Sequence, residues 1–216
     1  IYADFDAETV VQAVEGGWVS PLGSMPPLTA DDARACRAIV GQMGVEPFQR
    51  ALEAGADVVI AGRACDTAIF AAIPLMLGYP VGPSIHLSKI VECASLCCIP
   101  GGPDPILGTL EGDSFVLESM DASRVVTPMS AAAHSLYEEA DPYRIVEPDG
   151  VVTLDDVTFT AVDERRVRGS GARWTPADAC TVKLEGSAHE GERGILLCAT
   201  ADPRVIETYL GAGRKD

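Results

Sequence analysis

The chain has 216 residues, of which 47% are hydrophobic and 22% are charged, as in an ordinary globular protein. Its 32 acidic residues outnumber its 16 basic residues and leave a formal net charge of −16. Because nucleic acids and anionic membranes attract basic surfaces, this balance argues against both as partners. An anionic small molecule remains a candidate ligand, provided that a few arginines and lysines create a positive field locally.

The seven cysteines show no spacing typical of a secreted disulfide framework, and no signal-peptide pattern is visible. We therefore expect reduced thiols and a cytoplasmic protein. The longest apolar stretch, residues 68–77, contains Pro74 and is too short to span a bilayer. Since the first residue is Ile1 rather than Met, we expect a fragment or a processed piece of a longer protein.

The first half of the sequence predicts helices that alternate with strands. One helix is expected between Asp6 and Gly16. A second is expected over 29–43, where Asp32 forms a weak capping box with the first residue, and a third over 47–54, with Pro47 in its favoured first position. Residues 58–60 form an apolar run without alternation, which is typical of a strand covered on both faces.

A candidate ligand site follows that predicted strand. Gly62 allows a sharp turn, and in open α/β sheets ligands bind where such strands end. Arg63 and the first free N–H groups of the next helix would bind a carboxylate or a phosphate, while Asp66 caps the helix and orients Arg63. A structural turn with an Arg63–Asp66 ion pair is equally compatible. Neither a dinucleotide fingerprint nor a P-loop is present.

The next candidate lies on a helix predicted from Ser84 to Cys98, after a helix that Pro74 kinks or ends. Four side chains fall along one edge of it: His86, Lys89, Cys93 and Cys97. They would supply acid/base chemistry, a nucleophile or a metal site. Against this, helical cysteines are usually buried apolar residues, Lys89 and Glu92 have the spacing of a solvated ion pair, and a metal is not expected.

From about Gly108 the pattern becomes rich in strands, with one helix expected over 129–139 and a last one from Asp202. The predicted strands are 114–118, 151–154, 158–162, 166–170, 180–185 and 195–200. The predicted fold is therefore α/β over 1–107, with helices around a mostly parallel sheet, and β-rich α+β over 108–216. The two parts lack a flexible linker and would be compatible with a single domain.

The helix over 129–139 and the turn after it hold another candidate site. His134 and Tyr137 share one helix face, and the Asp-Pro turn that follows projects Tyr143 and Arg144. Histidine is the side chain most readily tuned for proton transfer near neutrality. A helix-end histidine paired with Glu138 is the structural alternative.

Two basic segments of the second half admit both a structural and a binding interpretation. Arg165, Arg166 and Arg168 would form either an anion-binding patch or cross-strand ion pairs. Lys183 and Glu185 would share a strand face, either as a pair in a cavity or, more commonly, as part of a solvent face.

Several segments together resemble the acyclic terpene utilisation protein A family (AtuA), in the family's order and over nearly the whole chain. They are GADVVIAGRACDTAIF, KIVECASLC, AAAHSLYEEADPYRIVEPDG, VDERRVRGSGARW and TVKLEG. The resemblance implies truncation, because family members usually carry a Gly-rich α/β segment before the position of Ile1 and some have a further ferredoxin-like domain. It also implies a link to the breakdown of acyclic terpenes through CoA thioesters, or to organic-acid catabolism together with a small companion protein.

These observations favour a lyase or hydratase acting on a small carboxylate or an acyl-CoA. Arg63 and Arg144 would hold the carboxylate, and His134 with Tyr137 or Tyr143 would transfer the proton. The pocket lining would comprise Cys93, Lys89, Glu92 and Lys183. No cofactor motif is visible.

Two other interpretations remain open at the level of the sequence. The first is that the chain is a non-catalytic subunit or a binding module. In either case, we expect a homo-oligomer or a complex with a small companion protein. A redox or metal protein that uses Cys93, Cys97 and Cys98 is the least favoured of the three.

Overall fold

The computed structural model describes residues 1–135, 141–195 and 199–212. The fold combines helices with three sheets in the α+β class, and every pair of neighbouring strands in those sheets is antiparallel. The predicted mostly parallel sheet is therefore wrong. Parallel pairing is limited, among the described residues, to an isolated bridge between Met43 and Ala64.

The elements follow one another along the chain with short connections. The helices are α1 (Ala7–Glu15), α2 (Ala30–Ala35), α3 (Glu46–Glu53), α4 (Ala68–Met76), α5 (Val81–Val91), α6 (Pro128–His134) and α7 (Pro203–Ala212). The strands are β1 (Asp4–Phe5), β2 (Cys36–Gly41), β3 (Ile106–Glu111), β4 (Ser114–Ser119), β5 (Arg144–Glu147), β6 (Gly150–Thr153), β7 (Thr158–Ala161), β8 (Arg166–Ser170), β9 (Arg173–Pro176) and β10 (Leu184–Ala188). None of the described helices is both long and apolar enough to cross a membrane.

The first sheet joins the two halves of the chain in the order β1-β2-β10. The helix predicted over 29–43 does begin as expected, since Thr29 and Asp32 form a reciprocal capping box. It ends at Ala35, however, and the chain continues as strand β2. Ile39 and Val40 are β-branched, and they pair with Gly186 and Glu185 of β10, so pairing with a distant strand overrides the helical spacing.

The apolar run at 58–60 is not a strand, which corrects the prediction for this segment. The side chains of Val58 and Ile60 are 77% and 84% exposed. Only Val59 packs inward, against the small core that contains Phe48. The carbonyl of Ile60 accepts a hydrogen bond from the backbone nitrogen of Ile1, and the segment lies at the surface.

The second half of the chain forms the other two sheets, in the orders β3-β4-β8-β7 and β5-β6-β9. The strands predicted at 114–118, 151–154, 158–162 and 166–170 are confirmed. The strand predicted over 180–185 begins only at Leu184, and the one predicted over 195–200 falls partly outside the described residues. Helix α5 packs against both of these sheets. Leu87 and Ile90 join the core of the sheet β3-β4-β8-β7, and Ile85 joins the core of the sheet β5-β6-β9.

Helix α5 is shorter than predicted, and this changes the side chains that it aligns. It ends at Val91, and Ala94 has a positive φ of 53°, a conformation that a helix does not continue through. The predicted single edge from His86 to Cys97 is therefore wrong. His86 and Cys97 are each 1% exposed and lie in the interior, whereas Lys89 and Cys93 are partly exposed.

Candidate functional site

The turn at residues 62–67, between the exposed segment and α4, is where most of the predicted site residues meet. Its backbone is fixed by Met43, whose N–H donates to the Arg63 carbonyl at 3.2 Å and whose carbonyl accepts from the Cys65 N–H at 2.7 Å. Gly62 allows close packing here, since an added Cβ would lie 3.0 Å from the Cβ of Ala3. Gly62 and Arg63 lie in a bend, as predicted, although the described segment before it is not a buried strand.

A hydrogen bond to a buried carboxylate stabilises the turn. Glu147, the last residue of β5, is 6% exposed and accepts a short hydrogen bond from the hydroxyl of Thr67, which is 2% exposed. Burial and the neighbouring Glu147 charge raise the pKa of the Cys65 thiol well above its usual range. Cys65 is therefore a protonated thiol near neutrality and not a reactive thiolate.

Lys89 of α5 stands between two carboxylates above this turn. Its ammonium lies 3.4 Å from Asp66 Oδ2 and 3.0 Å from Glu92 Oε1, and its side chain is only 15% exposed. The thiol of Cys93 donates to the same Glu92 oxygen at 3.2 Å. The ion pair expected from the spacing of Lys89 and Glu92 is confirmed, and it is half-buried rather than solvated.

Arg63 and Lys183 share one carboxylate on the other side of the turn. Glu185 Oε2 lies 3.2 Å from Arg63 Nε, and Glu185 Oε1 lies 3.0 Å from Lys183 Nζ. The expectation that Asp66 orients Arg63 is wrong, because Asp66 reaches Lys89 and Glu185 reaches Arg63. Two cations on one carboxylate leave a local charge of +1 in a protein whose formal charge is −16.

The ion-pair group around Lys89 and the one around Glu185 are close enough for both to act on Cys65. The charges of Asp66 and Lys183 both influence the Cys65 thiol, in opposite directions. We name the set Arg63, Asp66, Lys89, Glu92, Cys93, Lys183 and Glu185 the turn cluster. The Arg63 side chain is 51% exposed, so its guanidinium, which carries five N–H donors, is accessible to a ligand from solvent.

Lys89 also connects the turn cluster to a small cavity that His134 borders. The polar side chains around this cavity are His86, Lys89, His134 and Ser135, and its volume is about 10 Å³. His134 is the last residue of α6, so the packing of α6 near α5 brings together two candidates that are 45 residues apart in the sequence. Lys89 and His134 thus border the same small cavity, and their catalytic roles stay a prediction.

The remaining residues of the predicted turn site are placed differently. Arg144 forms a short ion pair with Asp155 and donates to the Tyr143 carbonyl at 2.7 Å, so its guanidinium is already engaged. The side chain of Tyr143 is 54% exposed. Tyr137 and Glu138 lie outside the described residues.

The arginine-rich strand β8 and its preceding turn form ion pairs and carbonyl contacts rather than an open anion-binding patch. Arg165 donates to three backbone carbonyls, Arg166 pairs with Asp163 at 2.7 Å, and Arg168 pairs with Glu111 at 2.6 Å. The structural alternative for this segment is thus the one observed.

The three clustered cysteines give little support to redox or metal chemistry. Burial raises the pKa of Cys97 to about 12 and also raises the pKa of Cys98, which disfavours thiolate formation. Within the described ranges, no group of three or more histidine, cysteine and carboxylate side chains has a metal-binding arrangement.

Glu147 and its partner Thr67 were not among the residues predicted from the sequence. A carboxylate in the middle of a strand-like stretch, followed by Pro148, carries no local signal of burial. Only the position of β5 beneath the turn makes it part of the site.

The sequence also matches a known protein family. A sequence model of the acyclic terpene utilisation family, described as "Acyclic terpene utilisation family protein AtuA", matches residues 25–98 and 105–209. The chain belongs to the AtuA family. The match includes every residue of the turn cluster and both histidines of the cavity, so the site lies within the part of this AtuA protein that defines the family. Neither the curated proteins nor the solved structures gave a significant match.

Proposed function

We propose that this AtuA protein is a cytoplasmic catabolic lyase or hydratase that acts on a small carboxylate or an acyl-CoA during acyclic terpenoid or organic-acid degradation. The observation that carries the proposal is the turn at 62–67, which places a cationic pair with available donors next to a half-buried Lys89 and its two carboxylates. Such chemistry requires both an anion-binding group and a proton-transfer group.

The cationic pair would bind the anionic end of the substrate. The guanidinium of Arg63 presents a planar set of donors suited to a carboxylate or a phosphate, and Lys183 adds a second charge beside it. Since both cations already share Glu185, substrate binding replaces part of that pairing rather than creating a new charge. The surrounding negative field then disfavours anions that make only non-specific contacts.

Lys89 and His134 would act at the reacting carbons. In a hydratase, a base removes a proton from water while the oxygen adds to the β carbon, and the α carbon then takes up a proton. His134 is the candidate for the proton transfer. Lys89 would stabilise the negative charge that develops on the carbonyl oxygen, because its ammonium is held away from bulk water.

Solvent deuterium exchange tests this role without requiring the full turnover to be favourable. The protein is incubated in D₂O with short acyl-CoAs, acyclic terpenoid acyl-CoAs and small carboxylates, and deuterium at the α carbon is measured by mass spectrometry. We expect exchange with one class and a loss of a hundredfold or more in Lys89→Met and His134→Gln, as is typical for acid/base groups. The control is Arg173→Gln, which removes an exposed ion pair with Asp156.

Exchange that persists in both variants would contradict the assignment of Lys89 and His134. The absence of exchange with every substrate class, in protein that is shown to be folded, would contradict the enzyme proposal itself.

A second candidate function is a non-catalytic subunit that binds a small companion protein. The observation that favours it is the outer face of α4, where Ile69, Ile73 and the following Leu77 are exposed and no residue from 67 to 80 is charged. Contiguous exposed apolar side chains are typical of protein–protein contacts. Co-purification with the companion, and its loss in Ile73→Glu, would favour this function, whereas a catalytically active isolated chain would contradict it.

A further inference from the structure

Helix α4 buries its small side chains and exposes its large ones. The side chains that it packs against the protein core are those of Ala68, Ala71 and Ala72, each at most 1% exposed. The large apolar side chains are exposed by 41% to 71% instead, and they are Ile69, Phe70, Ile73, Met76 and Leu77. A surface helix normally turns its large apolar residues towards the core. The reversed arrangement indicates that another protein surface covers α4.

The charge distribution favours a second copy of the chain as the partner. No residue from 67 to 80 is charged, whereas the whole chain has a formal net charge of −16. Two copies with the same net charge repel each other, and an uncharged face keeps that repulsion smallest at the contact. A different protein would be selected through complementary charges, which this segment does not provide. Homodimer interfaces are also the more apolar class.

The exposed side chains are arranged symmetrically about Ile73. Ile69 and Leu77 lie four residues before and after it, and Phe70 and Met76 lie three residues before and after it. Residues three and four apart share a helix face, and Leu77, which follows α4 directly, still has a helical backbone conformation. A twofold axis at Ile73 would therefore place Ile69 opposite Leu77 of the other copy. The same axis would place Phe70 opposite Met76, so the face is complementary to itself, as a twofold dimer requires.

We propose that the exposed face of α4 is the interface of a homodimer, in which two antiparallel α4 helices pack across a twofold axis at Ile73. The contact of each Ile73 with its own copy lies at the centre of this interface. The proposal does not rest on the enzymatic function proposed above. One face cannot hold a second copy and a small companion protein at the same time, so the companion is an alternative occupant that the experiment distinguishes.

Analytical ultracentrifugation of the whole chain tests the interface. We expect a dimer for the wild type and a dissociation constant that is about thirtyfold higher or more in Ile73→Glu, because this residue lies at the centre of the interface. Val146→Glu is the matched control, since Val146 of β5 is also an exposed apolar residue and the dimer should persist. Added salt should strengthen the dimer, because it screens the repulsion between two negatively charged copies.

Disulfide cross-linking tests the position of the twofold axis. Both variants are made in a Cys180→Ser background, which removes an exposed native thiol. A disulfide needs two Cα atoms within about 7 Å, and only residues next to a twofold axis come this close to their own copies. We therefore expect mild oxidation to produce a covalent dimer with Ile73→Cys and not with Val146→Cys. Equal cross-linking of the two variants, or none in either, would overturn the proposal.

Two results of the ultracentrifugation would also overturn the proposal. The first is a wild-type chain that stays monomeric throughout the micromolar range. The second is a complex with the small companion protein that replaces the homodimer and is lost in Ile73→Glu, because this would assign the face to the companion. Neither measurement involves catalysis, so a failure of the dimer interface and a failure of the proposed enzymatic function are distinguishable.

Discussion

The basic side chains around strands β4 and β8 and those around the turn at 62–67 have opposite surroundings. Arg124 donates to Asp104 at 2.7 Å and to the carbonyls of Pro100 and Gly101 at 2.6 and 2.8 Å. Arg63 and Lys183, in contrast, divide a single carboxylate between them. The first kind of arginine stabilises loops, whereas in the proposed function the second kind also binds a ligand, and the residue type alone does not distinguish the two.

The largest expected effect follows from removing a fully engaged arginine. Arg124→Ala is expected to lower the free energy of unfolding by about 3 kcal/mol, because the side chain is only 17% exposed and its loss leaves a carboxylate and two carbonyls without a donor. Chemical denaturation measures this, with Arg173→Ala at an exposed pair as the control. A loss below about 1 kcal/mol would contradict the stabilising role given to Arg124.

The buried His86 predicts a specific pH dependence of stability. Its pKa is lowered from 6.5 to about 4 by burial, so between these values the unfolded chain binds a proton that the folded chain does not. Stability is therefore fully present above pH 6.5, falls as the pH decreases towards 4, and changes no further below that, with a total of about 3 kcal/mol. Denaturation of wild type and His86→Phe across this range isolates the contribution of His86 to the pH dependence of stability, and parallel pH curves for the two proteins would contradict it.

The hydrogen bond between Thr67 and Glu147 predicts a smaller loss. Thr67→Val removes the hydroxyl that donates to a buried carboxylate and is expected to lower the free energy of unfolding by about 2 kcal/mol, as for hydrogen bonds to charged groups. Thr160→Val, at an exposed position of β7, is the matched control. Equal effects at the two positions would show that Glu147 does not fix the turn.

The smallest effect on stability is expected where ligand binding is proposed. Arg63→Ala removes a half-exposed side chain that shares its carboxylate with Lys183, so the free energy of unfolding should change by about 0.5 kcal/mol or less. The same substitution should weaken the binding of an anionic ligand at least tenfold. A large stability loss without any loss of binding would place Arg63 with the structural arginines and break the comparison.

Local signals in the sequence predicted local structure well. The capping box at Thr29 and Asp32 and the strand over 166–170 are both as expected. Apolar patterns predicted less well, because the helix expected over 29–43 ends at Ala35 and the run at 58–60, expected as a buried strand, is exposed. Their outcome depends on distant partners: β2 is a strand since β10, more than 140 residues later, pairs with it.

The contacts of the candidate site also separate into those between sequence neighbours, which could be predicted, and those between distant segments, which could not. Pairs close in sequence, such as Lys89 with Glu92 and Lys183 with Glu185, could be anticipated from their spacing. The contact of Lys89 with Asp66 and the burial of Glu147 could not, because both depend on how α5 and β5 pack against the turn. The Arg63–Arg144 clamp was expected from the chemistry of two arginines within the family-like segments, but nothing in the sequence places the two near each other, and Arg144 pairs with Asp155.

The most direct test of the central claim, that the turn at 62–67 is a binding site for anionic substrates, is a thermal-shift and calorimetry screen with small carboxylates, short acyl-CoAs and acyclic terpenoid acyl-CoAs. Three proteins are compared: wild type, the double variant Arg63→Ala/Lys183→Ala, and Arg173→Ala. A ligand at a hundredfold excess over its Kd stabilises the folded state by about 2.7 kcal/mol. We predict such a shift for one class in wild type and Arg173→Ala and its loss in the double variant; the same shift in all three proteins would contradict the claim.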